Sequence, residues 1–213
     1  MVEVQAHGFT FEKWVRDTFF GGYSGTYMQK WDIPPEANNQ PSVPAPFRNI
    51  PVSIKMAKLG SPIGLGDVLR QRQVDTDFLM ITGFWQQRTP TEKWIRAIGV
   101  AHLPCLKWTG LWGQLSLAQL QAIDVVVKNM AHSHMVARQH AKTWKLTQAE
   151  VLTARFVINP KIDSKSQRRI QCSLPFAVFW SLVGSEPQSI DNPDLFGVPF
   201  PNPIRSGPRK FRA

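Results

Sequence analysis

The stretch Ile50-Pro51-Val52-Ser53-Ile54-Lys55-Met56-Ala57 decides how this chain is read. Val52, Ile54 and Met56 alternate with Ser53 and Lys55, the period of a strand, so Ser53 and Lys55 share one face. Upstream, Thr26-Tyr27-Met28-Gln29-Lys30-Trp31-Asp32-Ile33 reads as another strand, stopped by Pro34-Pro35. It carries Asp32 near its end, with 20 residues between Asp32 and Ser53. If the two strands are neighbours, Asp32 and Lys55 can reach one phosphate. Residues 34–49, rich in Pro and Asn, read as a surface loop.

Working outward, Phe11, Trp14, Val15 and Phe19 fall at i, i+3, i+4 and i+8, which predicts an amphipathic helix over 10–19. Glu12 lies beside that apolar stripe, and Gly21-Gly22-Tyr23-Ser24-Gly25 ends the helix in a turn. After the Lys55 strand, Gly60, Pro62, Gly64 and Gly66 predict a flexible connection, then a short helix from Asp67 to Gln73. Phe78-Leu79-Met80-Ile81-Thr82-Gly83-Phe84-Trp85 is a nearly continuous apolar run of strand length, expected as a buried central strand.

The second half reads as mostly helical. Ser116-Leu117-Ala118-Gln119 and Thr147-Gln148-Ala149-Glu150 match the capping-box pattern. The first predicts a long helix to about Lys142, the second a short one ending near Arg155. Residues 156–160 and 170–174 predict strands flanking a polar basic loop, and residues 185–213 an irregular tail. Trp14, Trp94 and Trp144 are placed on helical stripes as core; Trp85 ends the buried strand. The expectation is an α/β or α+β fold with a small mixed sheet, one domain over 1–213: a core to residue 90, a helical basic region over 91–184 and a basic tail.

Composition limits what the chain can be. At 43% hydrophobic and 11% aromatic, its 213 residues can bury a core and do not resemble a disordered chain. No run of about 18 apolar residues predicts a membrane span, and Met1-Val2-Glu3-Val4-Gln5 lacks the features of a signal peptide. Cys105 and Cys172 have no zinc-type spacing and are expected as reduced thiols in an intracellular, cytoplasmic protein. The net charge of +10 is uneven: residues 1–127 contribute +2, 128–173 +7, 174–194 −3 and 195–213 +4. A basic block that also carries helix and strand signals fits a polyanion-binding surface.

Phosphodiester cleavage needs a cation near the phosphate and an activated water. Magnesium prefers hard oxygen ligands and keeps several waters, so one or two carboxylates suffice. A nearby lysine can orient the water and offset developing charge. On Asp32, Ser53-Ile54-Lys55, Glu12 on the preceding helix, and the order helix–strand–loop–strand–helix–strand, residues 9–85 resemble the PD-(D/E)xK nuclease superfamily, which includes most type II restriction endonucleases. The chain departs from the motif: no Pro precedes Asp32, and Ser53 stands where the second acid belongs. The resemblance is to the branch with Ser-x-Lys, where the acid comes from a later helix. It implies a restriction-endonuclease-like core, with Asp32, Asp67 and the Ile54 carbonyl as Mg2+ ligands, Lys55 assisting the water, Ser53 in the motif and Glu12 in support. Asp75 and Asp77 are further candidates for the missing acid. It also implies a homodimer on palindromic double-stranded DNA, in a prokaryotic-type setting.

Beyond the core, Lys58, Arg70 and Arg72 are candidates for phosphates. Lys161, Lys165, Gln167, Arg168, Arg169 and Gln171 are the strongest DNA-contact candidates, since Arg pairs with guanine, Gln with adenine, and Lys serves phosphates. His132, His134, Arg138 and His140 read as a solvated or phosphate-facing helix rather than a metal site. Two rival readings stand beside restriction: a homing, repair or junction-resolving nuclease, and a non-catalytic DNA-binding protein in which Asp32, Lys55 and Asp67 are ordinary surface groups.

Overall fold

A computed structural model describes residues 3–25, 29–163 and 167–205. Along the chain run α1 (Glu3–Phe19), β1 (Val52–Lys58), β2 (Ile63–Asp67), α2 (Val68–Arg72), β3 (Phe78–Thr89), β4 (Glu92–Leu103), α3 (Cys105–Gly110), α4 (Leu117–Lys128), α5 (His134–Thr147), α6 (Ala149–Thr153), β5 (Val157–Ile162), β6 (Arg168–Leu174) and α7 (Phe176–Val183). Three short strands follow, β7 (Asp194–Leu195), β8 (Val198–Pro199) and β9 (Ile204–Arg205). The fold is mixed α+β, built as two compact units: Met1–Ser61, Asp77–Leu103 and Phe179–Ala213 form the first, Pro62–Thr76 and Pro104–Val178 the second.

The first unit holds a four-stranded mixed sheet in the order β1-β3-β4-β9. β1 runs parallel to β3, with Ile54 opposite Ile81 and Lys55 opposite Thr82; the other pairings are antiparallel. The apolar stripe of α1 packs as expected: Phe11, Val15 and Phe19 are buried in one cluster with Val52, Ile54, Leu79 and Ile81. Gly83 permits this seating, because a Cβ there would lie 2.8 Å from the Phe11 ring. On β4, a Cβ at Gly99 would lie 2.5 Å from Phe179, which together with Trp180 packs on Phe84.

Several expectations for this unit are corrected. Of the strand expected over 26–33, only Ile33 pairs, through a single antiparallel bridge to Val52; residues 30–32 bend, and 26–28 lie outside the described residues. The prolines at 34 and 35 have no N–H with which to continue a ladder. Trp94 stands on β4 rather than on a helix, within the region expected to be helical. Its buried positions, Lys93, Ile95, Ala97, Gly99, Ala101 and Leu103, alternate cleanly. Four of them are small or charged, while the other face carries Trp94, Ile98 and Val100, so the hydrophobic alternation is blurred. The stretch expected as an irregular tail contributes Leu195, Phe200 and Ile204 to the core. Asn202 anchors it by accepting from the Ile95 amide at 2.8 Å and donating to the Ile95 carbonyl at 2.9 Å.

The second unit is built on an antiparallel sheet, β2-β6-β5. Trp108 and Trp112 are buried against Phe156, and Trp108 Nε1 donates to the Gln71 carbonyl at 3.0 Å. The expected flexible connection contains β2, in which Gly66 takes a φ of 85° where the register of the ladder with β6 shifts. The long helix expected from residue 116 breaks into α4 and α5 around Asn129. The Ser116 capping box forms, but Ser133 caps a new start by accepting from the Val136 amide. The capping box at Thr147 does not form: Thr147 ends α5 and its hydroxyl donates back to the Thr143 carbonyl at 3.0 Å. β5 and β6 make the expected hairpin, longer than the sequence signals.

Candidate active site

Asp32 lies where the chain leaves the outer edge of β1. Ile33 exchanges two backbone hydrogen bonds with Val52, at 3.1 and 2.8 Å. The next ladder position is taken by a side chain: Asp32 Oδ2 accepts from the Ile54 amide at 2.6 Å. A carboxylate substitutes for a strand carbonyl, which anchors Asp32 to the backbone of the Ser-x-Lys strand.

Three further groups meet there. Lys55 Nζ donates to the same Oδ2 at 3.0 Å and to the Ile54 carbonyl at 3.0 Å, and the Ser53 hydroxyl donates to Oδ2 at 3.4 Å. Glu12 is near enough for the charges of Asp32 and Lys55 to act on it. Burial first, and the negative charge of Asp32 second, push the Glu12 carboxyl above its ordinary value, against Arg16 and Lys55. Arg16, one turn along α1, binds Glu12 Oε1 through Nη2 at 2.6 Å and donates to the Asp32 main-chain carbonyl at 3.3 Å. Among the described residues, Glu12 Oε2 and Asp32 Oδ1 accept no hydrogen bond. The side chains are 25% and 26% exposed. An open groove of about 280 Å³ along α1 is lined by Glu12, Arg16, Phe9, Lys13, Asp17 and Tyr23.

Glu12, Asp32, Ser53, Ile54 and Lys55 are thus brought together, all within the first unit. Asp67 belongs to the second unit, where it caps α2: its Oδ1 accepts from the Arg70 amide at 3.0 Å. Asp75 and Asp77 are exposed in the approach to β3. Among the described residues, no three His, Cys, Asp or Glu side chains gather as a metal cage. Two carboxylates with open oxygens nevertheless meet the modest demand of Mg2+, which keeps most of its own waters. Arg16 escaped the sequence reading; its signal was the i, i+4 spacing from Glu12.

The DNA-contact candidates divide by what they already bind. Arg168 latches the turn between α4 and α5, donating to the carbonyls of Asn129 at 2.9 Å and His132 at 2.8 Å. Arg138 donates to the Ile162 carbonyl at 2.7 Å, joining α5 to β5. Gln171, with its amide oxygen turned to Arg169, accepts from that guanidinium at 3.3 Å. Lys161 and Arg169 stand opposite one another across β5 and β6, both exposed. Lys58, Arg70 and Gln167 are exposed, Arg72 Nε donates to the Leu115 carbonyl at 3.3 Å, and Lys165 lies outside the described residues. The rings of His132 and His140 meet edge to face at 5.4 Å.

No protein-family model, curated protein or solved structure matches this chain. Among the described residues, no helix is long and apolar enough to cross a membrane.

Proposed function

We propose that this chain is a Mg2+-dependent endonuclease of double-stranded DNA, with a PD-(D/E)xK-type core and a restriction-type role. One observation carries the reading: Asp32 Oδ2 is bonded at once by the Ile54 amide and the Lys55 ammonium, beside a second carboxylate, Glu12. Asp32 and Glu12 would hold the cation, with Glu12 rather than Asp67 as the second acid. When bound, the cation supplies Lewis-acid stabilisation of the phosphorane and lowers the pKa of a coordinated water.

The chain's own residues do the rest. Lys55 orients the attacking water and offsets charge developing on the phosphate oxygens. The water gives up one proton to solvent as its oxygen forms the new bond to phosphorus, the bond to the leaving sugar oxygen breaks, and that oxygen takes a proton from solvent. Ser53 and the Ile54 amide hold Asp32 in place. The basic second unit supplies phosphate contacts, and a homodimer would match a palindromic site.

The test is digestion of a fully sequenced plasmid with Mg2+, mapping the fragment ends. Wild-type protein is expected to give defined fragments. Asp32→Ala and Lys55→Ala are expected to lower cleavage at least 100-fold, in line with loss of one group that stabilises transition-state charge, while retaining DNA binding. Full cutting by both variants would sink the proposal, and cutting confined to branched DNA would move it to a junction-resolving nuclease. The non-catalytic reading draws on the fact that each carboxylate already has a cationic partner; it expects salt-sensitive binding with no turnover.

A further inference from the structure

The site contains four charges in two pairs, Glu12 with Arg16 and Asp32 with Lys55. Lys55 has a role in the proposed chemistry and Arg16 has none. Yet Arg16 is the residue that touches both acidic positions, the Glu12 carboxylate and the Asp32 main-chain carbonyl. Its bonding is incomplete, because Nε is buried without a hydrogen-bond partner among the described residues. A buried, unpaired guanidinium N–H is costly and marks an arrangement that a different partner would improve.

Formal charge gives a direction. With two acids and two bases, the cluster is neutral and offers no net attraction to a phosphodiester. Arg16 and Lys55 both lose their carboxylate partners when Glu12 and Asp32 turn to a divalent cation. The cluster then carries two net positive charges beside an open groove. A guanidinium released in this way matches the paired oxygens of a phosphate.

We propose that Arg16 is a second cationic group of the site, holding Glu12 in the metal-free protein and contacting a phosphodiester oxygen once the carboxylates bind a divalent cation. This rests on the nuclease reading above. Arg16 is then a competitor for metal in the free protein and a partner of the substrate afterwards, so its removal has opposite effects on the two steps. A partly exposed ion pair of this kind stabilises by up to about 1 kcal/mol, so removing it changes affinity by roughly two- to fivefold.

The experiment titrates Mn2+ into DNA-free protein by calorimetry and measures plasmid cleavage with Mg2+, for wild type, Arg16→Gln, Arg16→Lys and Asp32→Asn. Arg16→Gln is expected to bind Mn2+ roughly two- to fivefold more tightly and to cut about tenfold or more slowly, the loss of a charged hydrogen bond. Arg16→Lys should keep the wild-type Mn2+ affinity and recover part of the cleavage. Unchanged or weaker Mn2+ binding by Arg16→Gln, or undiminished cleavage, overturns the role of Arg16. Should Arg16→Gln not fold, cleavage by Arg16→Lys as slow as that of Asp32→Asn overturns it too. Two outcomes separate the readings: no Mg2+-dependent cutting by wild type sinks the nuclease reading, and Mn2+ binding with full cutting by Asp32→Asn removes the metal site from Asp32 and Glu12.

Discussion

Glu12 is held between opposing influences. Burial and the nearby Asp32 favour its protonated form, while Arg16 and Lys55 favour the carboxylate, and the first two prevail. A carboxyl whose value is raised by folding keeps its proton to higher pH in the native chain than in the unfolded one. Its contribution to stability is therefore fully present below the ordinary value of 4.5 and is lost as pH rises through the native value. Glu12→Gln mimics the protonated form at every pH. Relative to wild type, it is expected to gain stability between pH 4 and pH 7, read as a rising difference in denaturation midpoints by urea. A difference that does not move with pH would show that the carboxyl is not strained. The same strain suits a metal ligand, since a cation offsets both the burial and the repulsion.

Among the elements, β1 was the most legible. The alternation over 52–56 is enough to call a strand, and a strand must put Ser53 and Lys55 on one side. α2 was also legible, because Asp67 is a good N-cap placed before helix formers. An N-cap and a metal ligand call for the same residue type, so the sequence offers Asp67 for both roles. The two roles part under substitution. Asp67→Ala is expected to cost about 1 kcal/mol of stability, and Asp67→Ser to restore most of it with cleavage intact, as befits a cap. Loss of cleavage in Asp67→Ser, with stability retained, would return Asp67 to the metal site. The Asp32 element was misread for a different reason. Its residue types favour a strand, but among the described residues only Ile33 pairs, and whether a strand forms depends on the partner's edge and not on propensity.

Across the whole molecule, charge is partitioned between the units. The second unit carries 12 of the 25 Lys and Arg residues but five of the 15 Asp and Glu residues, hence seven of the ten net positive charges. Part of that charge is structural, as with Arg168 and Arg138, bonded to backbone carbonyls. Lys161 and Arg169 are different: like charges directly opposite in a ladder destabilise it, and both point to solvent. A polyanion laid against them would relieve the repulsion. Lys161→Ala and Arg169→Ala are each expected to reduce the slope of log Kd for DNA against log salt by about 1. The substitutions should leave stability unchanged or slightly higher. An unaltered slope in the double variant would remove this hairpin from the DNA-binding surface.

Local pattern, read from the sequence alone, determined the amphipathic α1, the buried β3, the Ser53–Lys55 face and the basic character of residues 128–173. Each follows from side-chain periodicity or charge over a few neighbouring residues. Tertiary structure decided which acid stands beside Asp32, that Arg16 joins the cluster, that β4 is a strand, and that the chain past residue 185 completes a core. None of these is a local property. Glu12 and Lys55 are separated by 42 residues and Ile95 and Asn202 by more than 100, and nothing in either neighbourhood encodes the partner. What brings them together is the burial of Phe11 and Phe200 in one cluster with Ile54, a collective effect of packing.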